Sequence, residues 1–514
     1  MCFSKVKGMV KSMIDKEQDF QKIKMEIGEM NFEDIDKAGI VFSTENYSYF
    51  YDTCTNKIMR LTSEEKQILN WIVDISRGKN IPGSFDWVNV EDFINGFRAE
   101  KLLAKGESRF LDVEDNFLSY QVSNNLKQIT LEVTQKCNLR CNYCIYNDYN
   151  EDFRNFNISE MSFETAKKAL DYAFNHCGEK LAITFYGGEP LLNMDMIKKV
   201  VKYAECNKGG KKVIFSLTTN LVLITEEIAD YLASIEYFTI MGSMDGPEEI
   251  HNLNRRDYQG NGTYQKAIDG LKRLVEALKR YGRNVQDVVS ISVVIDKPYD
   301  IHKYEKIDIF FKKLSWLPDK IGKSVSYAIY PDSILQLDKN NQNVNADSIL
   351  KWSLEKNGDK NFYNGTLYSL ILPIHIRKIW EKPQFKYKLN GCCIPGSRKI
   401  YVDADGRFRL CERIGCSPII GNVDCGVDYD QLQKKYIEEF CQKSQDDCSK
   451  CWARNLCYVC YAECYDETGL NIMKKRKACN SCRALAYDML VYYHTILEKN
   501  PHIIEELNKI QITY

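Results

Sequence analysis

The sequence predicts an α/β fold: a partial barrel of six parallel strands and their helices, with a small winged-helix-like unit before it and a cysteine-rich domain after it. Three observations carry this. From Gln128 to about residue 335, short apolar runs alternate with amphipathic helical patterns, which calls for parallel strands joined by crossover helices. Between residues 36 and 115 the hydrophobic period is first two and then that of a helix. Thirteen of the chain's 20 cysteines crowd between Cys392 and Cys482. The expected division is a helical segment at 1–35, the winged-helix-like unit at 36–115, the barrel at 128–335, a linker or cover at 336–390, the cysteine-rich domain at 391–483 and a C-terminal helix at 484–514.

Each element has a local reason. Val10, Met13, Ile14, Phe20 and Ile23 recur at helical spacing. Ile40–Phe42, Tyr47–Tyr51 and Lys57–Leu61 alternate as strands, and 52–56 supplies the turn between the last two. Thr62-x-x-Glu65 is a capping box that opens a helix carrying Ile68, Ile72 and Ile75 on one face. A second helix is expected from about Val90 to Leu103, burying Phe93, Ile94, Phe97 and Leu102. Such a unit can dock a peptide by adding a strand to an exposed sheet edge. In the barrel the expected strands are Ile129–Val133, Ala182–Tyr186, Val213–Leu217, Tyr237–Gly242, Val288–Ile295 and Val325–Tyr330, with helices such as Phe163–Phe174 and Tyr264–Leu278 between them. A last helix is expected from about Ala484 to Leu497.

Composition excludes several classes. The net charge of −1 provides no global field for nucleic acid or anionic membrane. No run approaches the roughly 18 apolar residues of a membrane span, and Met1–Lys5 opens no signal peptide, so a cytoplasmic protein is expected. In that compartment thiols stay reduced, and dense cysteines mean metal or redox chemistry rather than disulfides.

Cys137, Cys141 and Cys144 follow the first barrel strand in the spacing C-x3-C-x2-C. Structural zinc takes four ligands, often as paired C-x2-C knuckles, and no fourth Cys or His lies close to this triplet. Three thiolates with one position open suit a [4Fe–4S] cluster whose fourth iron can bind a small molecule. Tyr186-Gly187-Gly188-Glu189-Pro190 ends the second strand, one βα unit later, so both motifs share the face at the strands' C-terminal ends. Its glycines allow close backbone approach to a ligand, and Glu189 can accept hydrogen bonds from an ammonium group. Thr218-Thr219-Asn220 ends the third strand. Ser243-Met244-Asp245-Gly246-Pro247 ends the fourth, followed by His251, Arg255 and Gly260-Asn261-Gly262-Thr263.

Together these runs resemble the radical S-adenosylmethionine superfamily, whose fold is a partial (β/α)6 TIM-like barrel. By that resemblance the three cysteines hold a cluster whose open iron binds the amino and carboxylate groups of S-adenosyl-L-methionine. Gly187, Gly188 and Glu189 form the strip that meets the amino group, Ser243 and Arg255 hold the carboxylate, and Tyr143 packs against the adenine. Asn220 and Asp245 occupy matching motif positions, while Leu221 stands where the family often has glycine.

The C-terminal cysteines resemble a SPASM domain, which carries two auxiliary [4Fe–4S] clusters. Cys393 precedes a G-x4-C run ending at Cys411, and Cys448-x2-Cys451-x5-Cys457 fits the next piece. The pattern then asks for cysteine at 461, where this chain has Tyr461 between Cys460 and Cys464. The resemblance implies an inner cluster on Cys393, Cys411 and Cys460, with Cys464 in reserve for Cys460; its remaining iron is open to a substrate thiolate or is closed by Cys392 or Cys416. The outer cluster falls to Cys448, Cys451, Cys457 and either Cys479 or Cys482. Zinc knuckles are the alternative for this region. Glu412 matches a carboxylate that acts as base in related sulfatase maturases; a solvated surface charge is the other reading.

Residues 36–115 resemble the leader-recognition element of radical peptide maturases. The three resemblances together imply an enzyme that forms thioether crosslinks, of the sactipeptide or ranthipeptide type, in a ribosomally made, cysteine-rich precursor peptide. An external one-electron reductant such as flavodoxin or ferredoxin is implied as a partner. The alternatives are a sulfatase-maturase-type formylglycine-generating enzyme and a maturase that makes carbon–carbon crosslinks.

Overall fold

A computed structural model describes residues 21–79, 87–110, 115–296, 300–328, 362–388 and 393–510 of the chain. Of the N-terminal apolar positions, Val10, Met13, Ile14 and Phe20 lie outside the described residues; Ile23 is buried in a helix over 21–28.

Strands β1 (Gly39–Ser43), β2 (Ser48–Asp52) and β3 (Ile58–Leu61) form an antiparallel sheet in that order. Helix α1 (Ser63–Ser76) opens on the expected capping box: Glu65 N donates to Thr62 Oγ1 at 3.1 Å, and Thr62 N donates to Glu65 Oε2 at 2.7 Å. Helix α2 (Trp87–Ala99) stops short of Leu103. The chain leaves it through left-handed turns at Lys101 and Leu103, whose φ values are 59° and 51°, and Leu103 N donates to the buried Asp52 Oδ1 at 2.8 Å. Leu102 and Leu103 still fill the core that Ile68, Leu69, Ile72, Ile94 and Phe97 build against Phe50 and Leu61.

The six expected barrel strands form: β4 (Gln128–Thr134), β5 (Lys180–Gly187), β6 (Lys212–Thr219), β7 (Phe238–Ser243), β8 (Val289–Ile295) and β9 (Gly322–Tyr327), all parallel and in sequential order. The expected end of the last strand, Tyr330, lies outside the described residues. Helices α3 (Phe163–His176), α4 (Met194–Asn207), α5 (Glu226–Ser234), α6 (Tyr264–Arg280) and α7 (Ile301–Lys313) make the crossovers. Along β5 and β6 buried residues alternate with half-buried ones: Leu181, Ile183 and Phe185 join the core, whereas Thr184 and Tyr186 on the other face keep partial exposure. That second face lines the chamber.

The sheet does not stop at β4. Strand β10 (Lys399–Val402) pairs parallel with it from Lys399↔Gln128 to Val402↔Leu131. Strands β11 (Arg407–Arg409), β12 (Gly421–Asn422) and β13 (Gly426–Val427) extend it antiparallel into one sheet of ten strands. The cysteine-rich region is thus hydrogen-bonded to the barrel's first strand.

Helix α8 (Asn364–His375) lies in the segment expected to be linker. It packs with the other face of β1–β2 on the last helix, through Phe42, Tyr49, Tyr51, Ile371, Ile374, Met489, Leu490 and Tyr493. The C-terminal part also carries α9 (Glu439–Ser449) and the long α10 (Ile472–Lys499), with a short helix at Ile503–Asn508 after it. α10 begins at Ile472 rather than near Ala484. Asn471 caps it by accepting from Met473 N at 3.0 Å and Lys474 N at 3.1 Å, and the polar run that follows hid the start. Among the described residues no helix is long and apolar enough to cross a membrane.

Candidate functional site

The triplet loop leaves β4 through a shift in register between Glu132 and Thr134 and is then pinned from two sides. On one side Arg140 N donates to Arg256 O at 2.7 Å and Asn142 N to Asn254 O at 3.0 Å. On the other stands the glycine pair. A Cβ on Gly188 would fall 2.1 Å from Lys136 O and 3.0 Å from Cys137 Cβ, and one on Gly187, whose φ is 146°, would fall 1.9 Å from Thr134 O. The glycines therefore admit the cysteine loop's own backbone. Burial pushes the Cys137 thiol up to about 12 and the Cys141 thiol up to about 11. These thiols lose their protons when a metal takes them.

The walls of the mouth are polar and buried. Glu189 accepts from Asn220 N at 2.7 Å, Thr219 Oγ1 at 2.9 Å and Leu191 N at 3.1 Å; burial raises its carboxyl to about 7. Asn220 Nδ2 donates to Asn138 Oδ1 in the triplet loop at 2.8 Å. Leu221, where the resemblance leads one to expect glycine, holds a φ of 70° and is fully buried, with its side chain against Gly242. The left-handed backbone costs about 1–2 kcal/mol, and burying a leucine returns a similar amount.

Opposite Glu189, Asp245 accepts from Val294 N at 3.0 Å and from Arg255 Nε at 3.0 Å, and Tyr143 Oη donates to it as well. The Arg255 guanidinium lies 5.5 Å from the Tyr143 ring centroid. Ser243 is buried at the end of β7. The remaining motif residues hold Arg255 in place. Asp245 N donates to His251 Nδ1 at 3.5 Å, His251 Nε2 lies 3.3 Å from Thr263 Oγ1, and Thr263 Oγ1 donates to Arg255 O at 2.9 Å. One tautomer, protonated at Nε2, satisfies this whole chain. Burial holds His251 near 4, so it is neutral.

Electrostatically, Glu189 acts on Cys137 while Arg255 and Asp245 act on Cys141. The triplet thus lies between a carboxylate and a guanidinium. That arrangement matches the ammonium and carboxylate of an amino-acid ligand. Among the described residues no three Cys, His, Asp or Glu side chains close on a single-ion site. A four-iron cluster sets its thiolates on separate corners, and this donor set fits one.

The C-terminal cysteines fall into two groups. Cys411, Cys460 and Cys393 influence one another in sequence, and Cys464, fully buried, sits beside Cys460 and Cys479. Cys392 lies outside the described residues, and Cys416 is held beside Asp152. Cys448, Cys451, Cys457, Cys479 and Cys482 line a cavity of about 340 Å³. Cys479 and Cys482 are both on α10, three residues apart and both facing that cavity. Glu412 is ion-paired with Lys399 of β10 at 3.0 and 3.1 Å.

Four residues that sequence reasoning missed belong to these sites. Tyr186, on the chamber face of β5, is influenced by both Glu412 and Cys144. Lys475 is 1% exposed with its ammonium on thiols. Tyr387 and Arg454 line the cysteine cavity. Only Tyr186 carried a sequence signal, its place just before the glycine pair.

Residues 131–301 match the Radical SAM superfamily model. An uncharacterized protein of Methanocaldococcus jannaschii is 29% identical over 305 residues, covering 59% of this chain and 90% of its own. A cysteine-type anaerobic sulfatase-maturating enzyme of Clostridium perfringens is 26% identical over 364 residues, 67% of this chain and 91% of its own. The solved structure of native anSMEcpe with bound AdoMet superposes with a TM-score of 0.53 at 21% identity, covering 75% of this chain and 100% of that one. The same protein with bound AdoMet and Cp18Cys peptide gives a TM-score of 0.52. At these identities the likeness shows the fold: a mixed α/β radical SAM fold around a central parallel sheet.

Proposed function

We propose that this chain, whose residues 131–301 match the Radical SAM superfamily model, matures a ribosomally made, cysteine-rich peptide by joining cysteine sulfur to carbon. The observation that carries the reading is the pairing of β10 with β4, which ties Glu412, ion-paired to Lys399 of β10 and next to Cys411, to the strand that leads into the Cys137 triplet. A peptide segment in the chamber would thus meet the triplet and the inner cysteine group together. When bound, a [4Fe–4S] cluster on Cys137, Cys141 and Cys144 supplies the electron that splits S-adenosyl-L-methionine and starts hydrogen abstraction.

The chain's own residues position and shield. Arg255, locked by Asp245 and by the His251–Thr263 chain, offers its remaining N–H groups to the methionine carboxylate, with Ser243 beside it. Glu189 and the Gly187–Gly188 strip face the ammonium end, Asn220 braces the triplet loop, and the Tyr143 ring covers Arg255. Glu412 takes the proton of a substrate group while Lys399 holds it in place. Auxiliary clusters are assigned to the two C-terminal groups: Cys393, Cys411 and Cys460, with Cys464 adjoining, and Cys448, Cys451 and Cys457 with Cys479 or Cys482. The leader of the peptide adds as a strand beside β3, whose second edge is unpaired among the described residues. A one-electron reductant such as flavodoxin or ferredoxin completes the system.

The test is anaerobic co-expression with a short cysteine-rich reading frame encoded beside this gene, followed by mass spectrometry. Each thioether removes two hydrogens and one alkylatable thiol. Loss of hydrogens with every thiol still alkylatable would overturn the sulfur assignment in favour of carbon–carbon bonds. A second reading, sulfatase-type maturation, draws on the 26% identity spanning 91% of the Clostridium perfringens enzyme. It predicts a hydrazide-reactive aldehyde in the product and no crosslink.

A further inference from the structure

Positive charge surrounds the five-cysteine cavity in a way that protein partners do not answer. Lys475 is 1% exposed, and its ammonium lies 3.5 Å from Cys448 Sγ and 3.7 Å from Cys479 Sγ. Among the described residues no carboxylate comes within ion-pair distance of it; the nearby Asp447 pairs with Arg476 at 2.9 Å. Its one other contact of note is the Phe440 ring, 5.8 Å from the ammonium. Asp447 reaches Lys475 only at longer range, so the ammonium's direct polar neighbours are thiols, which answer its lost hydration poorly while protonated. Thiolates bound to a cluster, whose sum is anionic, answer it.

Two residues that line the same cavity each carry a buried donor without a partner. Tyr387 and Arg454 are each 5% exposed, both line it, and Tyr387 Oη and Arg454 Nε have no hydrogen-bond partner. The Tyr387 phenol lies in the field of Cys448 and Cys451. The other nitrogens of Arg454 are engaged, Nη1 with Ser449 O at 3.3 Å and Nη2 with Cys54 Sγ at 3.4 Å. That leaves Nε as the donor without a partner. A buried donor left unmade is costly, so two of them on the lining, with the Lys475 ammonium against the lining thiols Cys448 and Cys479, mark the seat of an anionic acceptor.

We infer that Lys475, Tyr387 and Arg454 are positioning residues that stabilise the reduced form of the outer auxiliary cluster and raise its reduction potential. Adding an electron makes the cluster more negative, and a fixed cation with two donors favours that state; hydrogen bonds to sulfur and net charge are established determinants of such potentials. This inference rests on the proposal that the cavity holds a cluster. In the proposed reaction, closing a carbon radical with a thiolate forms one sulfur–carbon bond and releases one electron. A high-potential outer site gives that electron a place to go. Lys475 also acts on Cys464, beside the inner group, so it stands between the two sets.

The experiment is an EPR-monitored redox titration of anaerobically reconstituted full-length protein carrying Cys137→Ala, Cys141→Ala and Cys144→Ala, which leaves auxiliary signals alone. Iron and sulfide analysis comes first, and absence of auxiliary clusters there overturns the proposed function and this inference together, whereas clusters with an unaltered potential overturn the inference alone. With clusters present, Lys475→Met is expected to lower the outer cluster's reduced-to-oxidised ratio at fixed potential by about tenfold or more, equivalent to about 59 mV for one electron. Lys475→Arg keeps the charge and should stay near the parent, and Tyr387→Phe should shift the ratio a few-fold in the same direction. An unchanged ratio in Lys475→Met overturns the inference. If Lys475→Met fails to load the outer cluster while Lys475→Arg loads it, the need for charge is upheld. If neither loads, Tyr387→Phe decides, and an unchanged ratio there overturns it.

Discussion

The barrel mouth and the five-cysteine cavity solve the same electrostatic problem in opposite ways. At the mouth, buried charges are answered within the chain: Asp245 has Arg255, Tyr143 Oη and Val294 N, and Glu189 has three donors. At the cavity, Lys475 lies against the lining thiols Cys448 and Cys479, and Tyr387 Oη and Arg454 Nε have no hydrogen-bond partner. Under the proposed function the mouth releases and rebinds its small ligand each turnover, and so has to stand without it. A cavity for a permanent group can leave its polar atoms waiting, and its fold then depends on that group.

The sharpest test of this contrast pairs Cys141→Ala with Cys451→Ala. Cys141→Ala should abolish cleavage of S-adenosyl-L-methionine, read as 5′-deoxyadenosine release by chromatography. Cys451→Ala should retain that cleavage and lose the peptide crosslink. Equal cleavage by Cys141→Ala and the parent would defeat the triplet assignment; loss of cleavage in both would erase the distinction between regions.

Removing iron should act next most strongly, and unevenly. Without it the Lys475 ammonium is left against protonated thiols and two donors on the cavity lining stay unmade, so residues 448–460 and 472–483 should lose protection from hydrogen exchange by about tenfold to a hundredfold, at about 1–3 kcal/mol per unmade bond. Residues 245–264, tied by Asp245, His251 and Thr263, should change little. Uniform loss across both segments would show that the mouth also depends on its cofactor.

The same contrast explains what was legible in the sequence. The six strands, the capping box and the mouth motifs were readable because each rests on local spacing or on neighbours a few residues apart. The glycine pair was readable as a need for close approach, although the backbone it admits is that of Thr134 and Lys136. Strand β10 was not readable, because its pairing with β4 joins positions far apart in the chain. Lys475 looked like one lysine in a basic run, and only its burial against Cys448 and Cys479 separates it from Lys474 and Lys477. The start of α10 was hidden in the same run, where cysteines and charges replace the apolar period.

The smallest expected effect concerns acid. His251 is held near 4 by burial, against an ordinary value of 6.5, and its neutral ring links Asp245 to Thr263. Its folded pKa is depressed, so the unfolded chain binds the proton first and stability falls as pH drops from about 6.5 toward 4. The full shift corresponds to about 3 kcal/mol. His494, also held near 4, adds a loss of the same sign, so the parent's acid lability alone does not isolate His251. The comparison with His251→Gln does. Measured by denaturant unfolding of iron-free protein, the parent should exceed the variant at pH 7, and the gap should narrow by up to about 3 kcal/mol on acidification. Parallel curves would mean that the His251 link carries no neutral-ring requirement. A narrowing gap would place the mouth's weak point in one proton rather than in its metal.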